Sequence, residues 1–124
     1  MRVFIVDDSE LLRRRVREAV TSVPAAIVVG EAADAASALA GIRESRPDLV
    51  VLDIVFPGGG GRAVLRGLTT FVARPDVIVL TNHPEPEYRR HFMRRGVLDV
   101  FDKSLEFDRF SSLLATLART AVEA

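Results

Sequence analysis

Residues 47–57, Pro-Asp-Leu-Val-Val-Leu-Asp-Ile-Val-Phe-Pro, contain four consecutive apolar residues that end at one carboxylate, Asp53. A short continuous apolar run is typical of a strand that is buried on both faces of a sheet. The glycines at 58–61 predict a turn soon after it. We therefore expect Asp53 at the carboxyl end of a central strand, either as a cap that bonds nearby backbone or as a reacting group.

Four more stretches have the same apolar and β-branched character, and apolar residues at helical spacing lie between them. The predicted strands are 2–6, 26–30, 49–52, 76–81 and 97–101. The predicted helices are 9–23, 34–46, 62–71, 86–96 and a last helix from 104 onward.

Short polar side chains stand at three of the predicted helix starts and are suited to capping. Asp8 or Ser9 is the expected N-cap of the first helix, Asp34 that of the second, and Ser104 that of the last. Gly96 is expected to end the fourth helix.

Five strands that alternate with five helices predict an α/β fold: a doubly wound parallel sheet with helices on both faces and right-handed crossovers. With 124 residues, 48% of them hydrophobic, the chain has the size and apolar content of one domain. We therefore expect a single domain over residues 1–124.

Composition excludes several classes of function. Seventeen basic and 17 acidic residues balance, so no overall field favours nucleic acid or an anionic membrane. The absence of cysteine excludes disulfides, thiolate zinc sites and thiol nucleophiles. Near the N-terminus the apolar run covers only 3–6, too short for a signal peptide or a membrane span, so a cytoplasmic location is expected.

Polar residues follow four of the predicted strands: Asp7 and Asp8, Asp53, Thr81 and Lys103. The carboxyl ends of parallel strands share one edge of the sheet, so these side chains should converge there. Crowded carboxylates repel one another unless a cation lies among them. Ligands that are all oxygen suit Mg²⁺ or Mn²⁺, and the sequence therefore predicts a divalent metal at this edge.

A metal beside Asp53, with Lys103 and Thr81 available for phosphoryl oxygens, describes a site for phosphoryl transfer. Carboxylates can act as nucleophiles that form aspartyl phosphates. Each residue also has an ordinary explanation as a cap, a β-branched strand residue or a solvated lysine. Their joint position at four strand ends of one edge favours the functional interpretation.

The chain resembles the response-regulator receiver domain, the chemotaxis-type phosphoacceptor of two-component signalling, from Val3 to about Val122. The motifs that carry the resemblance are residues 6–9 (Val-Asp-Asp-Ser), 52–54 (Leu-Asp-Ile) with Pro-Gly at 57–58, 80–81 (Leu-Thr) and 102–104 (Asp-Lys-Ser). The resemblance implies a flavodoxin-like (βα)5 sheet of strand order 2-1-3-4-5.

The resemblance also implies how a metal is held. Asp8, Asp53 and the backbone carbonyl of Val55 would bind Mg²⁺, and Asp7 would act through water. Mn²⁺ is a possible substitute.

The resemblance implies signalling rather than enzymatic turnover of a free substrate. Asp53 would accept a phosphoryl group from a sensor histidine kinase or a histidine phosphotransfer protein, with Mg²⁺-assisted self-phosphorylation and autodephosphorylation. Lys103 would bind the phosphoryl group, and Thr81 would move toward it and shift the loop that follows.

Three positions depart from the family pattern. Val100 stands where receivers usually carry a switch tyrosine or phenylalanine, so output is expected to run through Thr81 and the loop at 82–86. Ser104 replaces the usual proline after Lys103, which leaves the isomer of that peptide bond open. Asn82 stands where a smaller residue is common, and we expect it to narrow access to the phosphoryl group.

The fourth predicted helix is expected to bury Tyr88, Phe92 and Met93 and to present a basic output face toward a downstream protein. That face, formed by the fourth helix, the fifth strand and the fifth helix, carries Arg89, Arg90, Arg94 and Arg95. Direct binding of nucleic acid by this domain is not expected.

The first helix presents a second basic surface, which could meet an acidic kinase surface beside the site. Its arginines are Arg13, Arg14, Arg15 and Arg17.

Two other functions remain open from the residues alone. The first is a binding module of receiver type that works without phosphorylation. The second is a phosphohydrolase with an aspartyl-phosphate intermediate, but Val55 occupies the position where such enzymes need a second carboxylate as acid and base.

Overall fold

The computed structural model describes residues 1–56, 59–82 and 85–123, with side chains through 121. Ten elements alternate along the chain. The strands are β1 (Arg2–Val6), β2 (Ile27–Ala32), β3 (Leu49–Leu52), β4 (Asp76–Thr81) and β5 (Asp99–Asp102). The helices are α1 (Glu10–Thr21), α2 (Ala35–Ser45), α3 (Gly60–Leu68), α4 (Pro86–Arg94) and α5 (Phe107–Glu123).

The five strands form one parallel sheet in the order β2-β1-β3-β4-β5. This confirms the predicted flavodoxin-like α/β fold and its strand order. The predicted loop residues Pro57, Gly58, His83 and Pro84 lie outside the described residues.

The core consists of two apolar layers, one on each face of the sheet. In β3, Val50 and Leu52 pack into the layer under α2, α3 and α4. Leu49 and Val51 pack into the layer under α1 and α5. The central strand is therefore covered on both sides, which explains its continuous apolar sequence.

Side-chain caps set the starts of α1 and α2. The Ser9 hydroxyl accepts a hydrogen bond from the Leu12 amide at 3.2 Å, and the Asp34 carboxylate accepts one from the Ser37 amide at 2.9 Å. Both predicted caps are confirmed, with Ser9 rather than Asp8 at α1.

The predicted start of the last helix is wrong. The Asp102 carboxylate accepts hydrogen bonds from the backbone amides of Ser104 and Leu105 at 2.7 and 2.8 Å, which forms a turn. The helix α5 begins only at Phe107. Ser104 is therefore part of this turn and not an N-cap, and the Lys103–Ser104 peptide bond is trans.

The predicted buried face of α4 is correct only for Phe92. Tyr88 is 37% exposed and Met93 is 44% exposed, whereas Phe92 is fully buried. Phe92 is thus the one buried residue of α4. The ring of Tyr88 instead lies 6.0 Å from the Arg62 guanidinium.

Several predicted boundaries shift. The strand β2 ends at Ala32 rather than at 30, β5 begins at Asp99 rather than at 97, and α3 runs from Gly60 to Leu68 rather than from 62 to 71. Within the described ranges, none of the helices combines the length and apolar character needed to cross a membrane.

Candidate functional site

Asp7 and Asp53 leave neighbouring strands at the same edge of the sheet. The Asp7 amide donates to the Ala32 carbonyl at 3.1 Å, and the Asp53 amide donates to the Val6 carbonyl at 2.9 Å, so both residues continue the sheet pairing. Asp7 and Asp53 are 3% and 5% exposed, whereas Asp8 is exposed. Carboxylate oxygens of these three residues lie within 4.8 Å of one another.

The two buried carboxylates have defined partners. Asp7 Oδ1 accepts from the Ser9 amide at 2.8 Å, and Asp53 Oδ1 accepts from the Ile54 amide at 2.7 Å. These bonds fix the side chains with their second oxygens, Oδ2, toward Lys103.

Lys103 lies between the two buried carboxylates. Its Nζ is 2.9 Å from Asp7 Oδ2 and 3.2 Å from Asp53 Oδ2. Its backbone amide donates to the carbonyl of Thr81 at 2.9 Å, and Thr81 is fully buried at the end of β4. The residues predicted from the four strand ends thus meet at one edge.

Val55 follows Asp53 by two residues, and its side chain is 61% exposed. An apolar side chain cannot bind a cation, so only the backbone carbonyl of Val55 is available as a ligand.

Burial raises the pKa of the Asp53 carboxyl above its ordinary value, and the neighbouring Asp7 carboxylate raises that pKa further. Lys103 and the Ile54 amide oppose this increase without cancelling it. In addition, the three clustered carboxylates carry more negative charge than the one ammonium of Lys103 offsets. A divalent cation among the carboxylates would offset this excess, and three oxygen donors at this spacing fit such an ion.

The glycines that follow Asp53 do more than permit the predicted turn. The Gly61 amide donates to the Ile54 carbonyl at 2.7 Å, and a Cβ on Gly61 would collide with the Asp53 carbonyl oxygen. A Cβ on Gly60 would collide with the Ile54 carbonyl, and its φ of +66° also favours glycine. The start of α3 thus packs directly on the backbone of the site, which sequence reasoning missed although four successive glycines were a visible signal.

A cavity of about 210 Å³ adjoins the site on the side of α1. Lys103, Ser104 and Asn82 line it together with Ser9 and Arg15. Asn82 is exposed at this opening.

The predicted basic surface on α1 is only partly available. Arg17 forms a bidentate ion pair with Glu31 at 2.7 and 2.9 Å, and Arg13 Nε lies 3.3 Å from the same carboxylate. Arg15 and Arg14 are exposed, and the Arg15 guanidinium stacks on the ring of Phe107 at 4.1 Å.

The predicted basic face on α4 needs a similar correction. Arg89 is paired: its guanidinium lies 3.3 Å from Asp99 and 3.0 Å from Glu106, and so ties α4 to β5 and to the turn before α5. Three of the four predicted arginines remain exposed, namely Arg90, Arg94 and Arg95.

Comparison with known proteins identifies the class. A family model for the response regulator receiver domain matches residues 3–115. The chain belongs to the response regulator receiver domain family, and its role is that of a receiver in phosphorylation-based two-component signalling.

Individual relatives agree with this assignment. The chain is 35% identical to the protein-glutamate methylesterase/protein-glutamine glutaminase 5 of Myxococcus xanthus over 130 residues, which covers all of this chain and 37% of that protein. It is 36% identical over 87 residues to the DNA-binding transcriptional activator DevR/DosR of Mycobacterium tuberculosis, which covers 70% of this chain and 40% of that protein. The chain thus spans well under half the length of these relatives.

Among solved structures, the response regulator domain of Thermotoga maritima CheB superimposes with a TM-score of 0.81 at 26% identity, covering all of this chain and 97% of that one. The sheet and its helices therefore have the arrangement found in receiver domains.

Proposed function

We propose that the chain is a phosphorylation-dependent switch in which Asp53 accepts the phosphoryl group. The observation that carries this proposal is the meeting of three carboxylates within 4.8 Å, with Lys103 within 3.2 Å of two of them. Asp53 is the one of the three that follows the central strand β3, and its Oδ2, like that of Asp7, lies beside the ammonium.

We further propose that the acidic cluster holds Mg²⁺, for which Mn²⁺ can substitute. Asp8, Asp53 and the backbone carbonyl of Val55 would be the ligands, and Asp7 would act through water. When bound, the ion supplies positive charge that neutralises phosphoryl oxygens as the group is transferred.

The residues of the chain then have separate tasks. An oxygen of the Asp53 carboxylate attacks phosphorus, the bond from phosphorus to the histidine nitrogen of the donor breaks, and the imidazole leaves with the electron pair and takes up a proton. Lys103 donates to an oxygen of the transferred group. The product is an acyl phosphate on Asp53.

Output is proposed to begin at Thr81, whose hydroxyl moves toward the phosphoryl group and draws with it the loop that leads to α4. Val100 is fully buried in the core and has no ring to rotate. Coupling therefore depends on the backbone bond between Thr81 and Lys103 and on the ion pairs that join Arg89 to the turn before α5.

The proposed partners are a sensor histidine kinase or a histidine phosphotransfer protein on the input side, and on the output side a downstream protein that meets the face of α4, β5 and α5. Residues 1–124 are proposed to form one receiver domain that acts in the cytoplasm, without direct nucleic-acid binding and without catalytic turnover of a free substrate. Because relatives include a methylesterase and a transcriptional activator, any further domain of the whole protein would set its activity.

Incubation with acetyl phosphate and MgCl₂, followed by intact mass spectrometry, tests the acceptor. Wild type should gain one phosphoryl group, and Asp53→Asn should gain none. Asp48→Asn is the matched control, because Asp48 lies exposed at the opposite end of β3.

Two outcomes would overturn the proposal. Absence of label on wild type would favour a binding module that acts without phosphorylation. Rapid multiple turnover of acetyl phosphate would favour a phosphohydrolase.

A further inference from the structure

Asp8 differs from the other two carboxylates of the cluster in how it is held. Asp7 and Asp53 each accept one backbone hydrogen bond and contact Lys103. In the part of the chain that the structure describes, the exposed Asp8 carboxylate has no such partner. Its position is therefore set by the backbone that carries it.

The backbone between Asp7 and Asp8 is held by one side chain. Arg13 Nη1 donates to the Asp7 carbonyl at 2.7 Å. This carbonyl belongs to the planar peptide unit that joins Asp7 to Asp8. A hydrogen bond that fixes the orientation of this unit also fixes the position of the Asp8 Cα atom, which carries the side chain.

The Arg13 side chain is itself held in place by Glu31. Its side chain is only 19% exposed, and Nε lies 3.3 Å from Glu31 Oε1. Glu31 lies on β2, in register with Ile5 of β1. Arg17 forms the bidentate pair with Glu31, and its hydrogen bond lowers the pKa of that carboxyl, so Glu31 stays charged at neutral pH.

We propose that Arg13, braced by Glu31, is a positioning residue that orients the Asp7–Asp8 peptide and thereby presents Asp8 to the divalent cation. The bracing removes the rotamer freedom that a surface arginine would otherwise keep. Groups behind the direct ligands of a metal commonly affect its affinity about 10-fold or more. This inference rests on the proposed function, since it assumes that the acidic cluster binds the cation.

The test is an NMR titration of each protein with MgCl₂, followed through backbone amide shifts, beside thermal unfolding of the metal-free protein. Arg13→Met should weaken Mg²⁺ binding roughly 10-fold. Arg14→Met is the matched control, because Arg14 is the exposed neighbour on the same helix and its loss changes net charge equally. It should bind Mg²⁺ like wild type.

Glu31→Gln tests the ion pair between Arg13 and Glu31 and leaves Arg13 itself unchanged. It should also weaken Mg²⁺ binding, by less than Arg13→Met, because the arginine keeps its donor and loses only the charge that holds it. If Arg13→Met does not fold, Glu31→Gln and Arg13→Lys replace it in the test. Arg13→Lys keeps the positive charge, but lysine cannot contact both the Asp7 carbonyl and Glu31. It should therefore also weaken Mg²⁺ binding.

Hydrogen exchange of the Ser9 amide separates a local effect of Arg13 on the Asp7–Asp8 peptide from a general loss of stability. The amide is bonded to Asp7 Oδ1 and should exchange faster in Arg13→Met, while amides of β3 keep their protection. Equal Mg²⁺ affinity in folded Arg13→Met, Glu31→Gln and wild type would overturn the inference and leave the proposed function intact. Failure of wild type itself to bind Mg²⁺ would instead overturn the proposed function.

Discussion

The strand β3 has an aspartate at each end, and the two have different environments. Asp48, before the strand, is exposed, and its carboxylate accepts a hydrogen bond from the Arg2 amide at 2.8 Å. Asp53, after the strand, is 5% exposed and lies against Asp7 and Lys103. Residue type alone therefore does not identify the reactive carboxylate.

The amino end of β3 even adjoins the larger opening, a cavity of about 620 Å³. Arg43, Arg46 and Arg74 line it, so negative charge there is surrounded by exposed cations. At the carboxyl end, burial and the Asp7 carboxylate raise the pKa of Asp53. A bound cation would stabilise the ionised form of this carboxyl. Burial combined with like charge, rather than cavity size, distinguishes the site.

The largest expected effect concerns the backbone at the carboxyl end. Gly61→Ala should lower the free energy of unfolding by about 1–3 kcal/mol, because the new Cβ would meet the Asp53 carbonyl. It should also weaken Mg²⁺ binding. Urea denaturation and an Mg²⁺ titration measure the two effects.

Gly67→Ala in the same helix is the control for this substitution. The atoms nearest to its Cβ would belong to the Leu39 side chain rather than to backbone, and alanine favours the helix by up to about 1 kcal/mol. Equal losses of stability in both variants would show that the close packing on Asp53 has no special cost.

Removal of the aspartate charge should change the free energy of unfolding in opposite directions at the two ends of β3. Asp53→Asn should stabilise the metal-free protein by roughly 1 kcal/mol, because it removes a charge that burial and the Asp7 carboxylate both disfavour, while Lys103 keeps its contact with Asp7. Asp48→Asn should cost up to about 1 kcal/mol, since it weakens the bond from the Arg2 amide. Urea denaturation without Mg²⁺ compares them, and destabilisation by Asp53→Asn would refute the assigned repulsion.

The difference between wild type and Asp53→Asn should depend on pH. A carboxyl whose pKa is raised by folding stabilises the protein below the pKa of the unfolded chain, and this contribution is lost as pH rises through the folded-state pKa. The advantage of metal-free Asp53→Asn should thus be absent near pH 3 and grow above about pH 4. Denaturation curves across this range should reveal the trend, and a constant difference would argue against it.

The smallest effect on Mg²⁺ affinity is expected from Lys103→Met. Loss of an ammonium within 3.2 Å of two carboxylates removes a competing positive charge, so Mg²⁺ affinity should stay equal or rise, while labelling by acetyl phosphate should weaken. Arg2→Met at the amino end, which removes only a bond to the Ser45 carbonyl, should change neither. A clear loss of Mg²⁺ affinity in Lys103→Met would contradict the position assigned to this lysine.

The sequence predicts what depends on periodicity and on strand ends. Apolar runs that end at Asp7, Asp53, Thr81 and Lys103 identify the strands, and a parallel sheet brings their carboxyl ends to one edge. Neither inference needs knowledge of side-chain contacts.

Contacts between distant residues could not be predicted in this way. The pairing of Arg89 with Glu106 and that of Arg13 with Glu31 join different elements, and in the sequence all four residues look like ordinary surface charges. The turn that replaces the predicted cap at Ser104 depends on Asp102, whose carboxylate accepts hydrogen bonds from the backbone amides of Ser104 and Leu105. The role of Gly61 depends on a packing distance that composition does not encode.

The most direct test of the central claim is to locate the phosphoryl group. Borohydride reduces an aspartyl phosphate to homoserine, and peptide mass spectrometry of protein treated with acetyl phosphate and MgCl₂ then locates the modified position. Homoserine at position 53, dependent on Mg²⁺ and absent at position 48, is the predicted result. Modification at another residue, or at position 53 without any requirement for a divalent cation, would contradict a phosphoacceptor built on the cluster of three carboxylates.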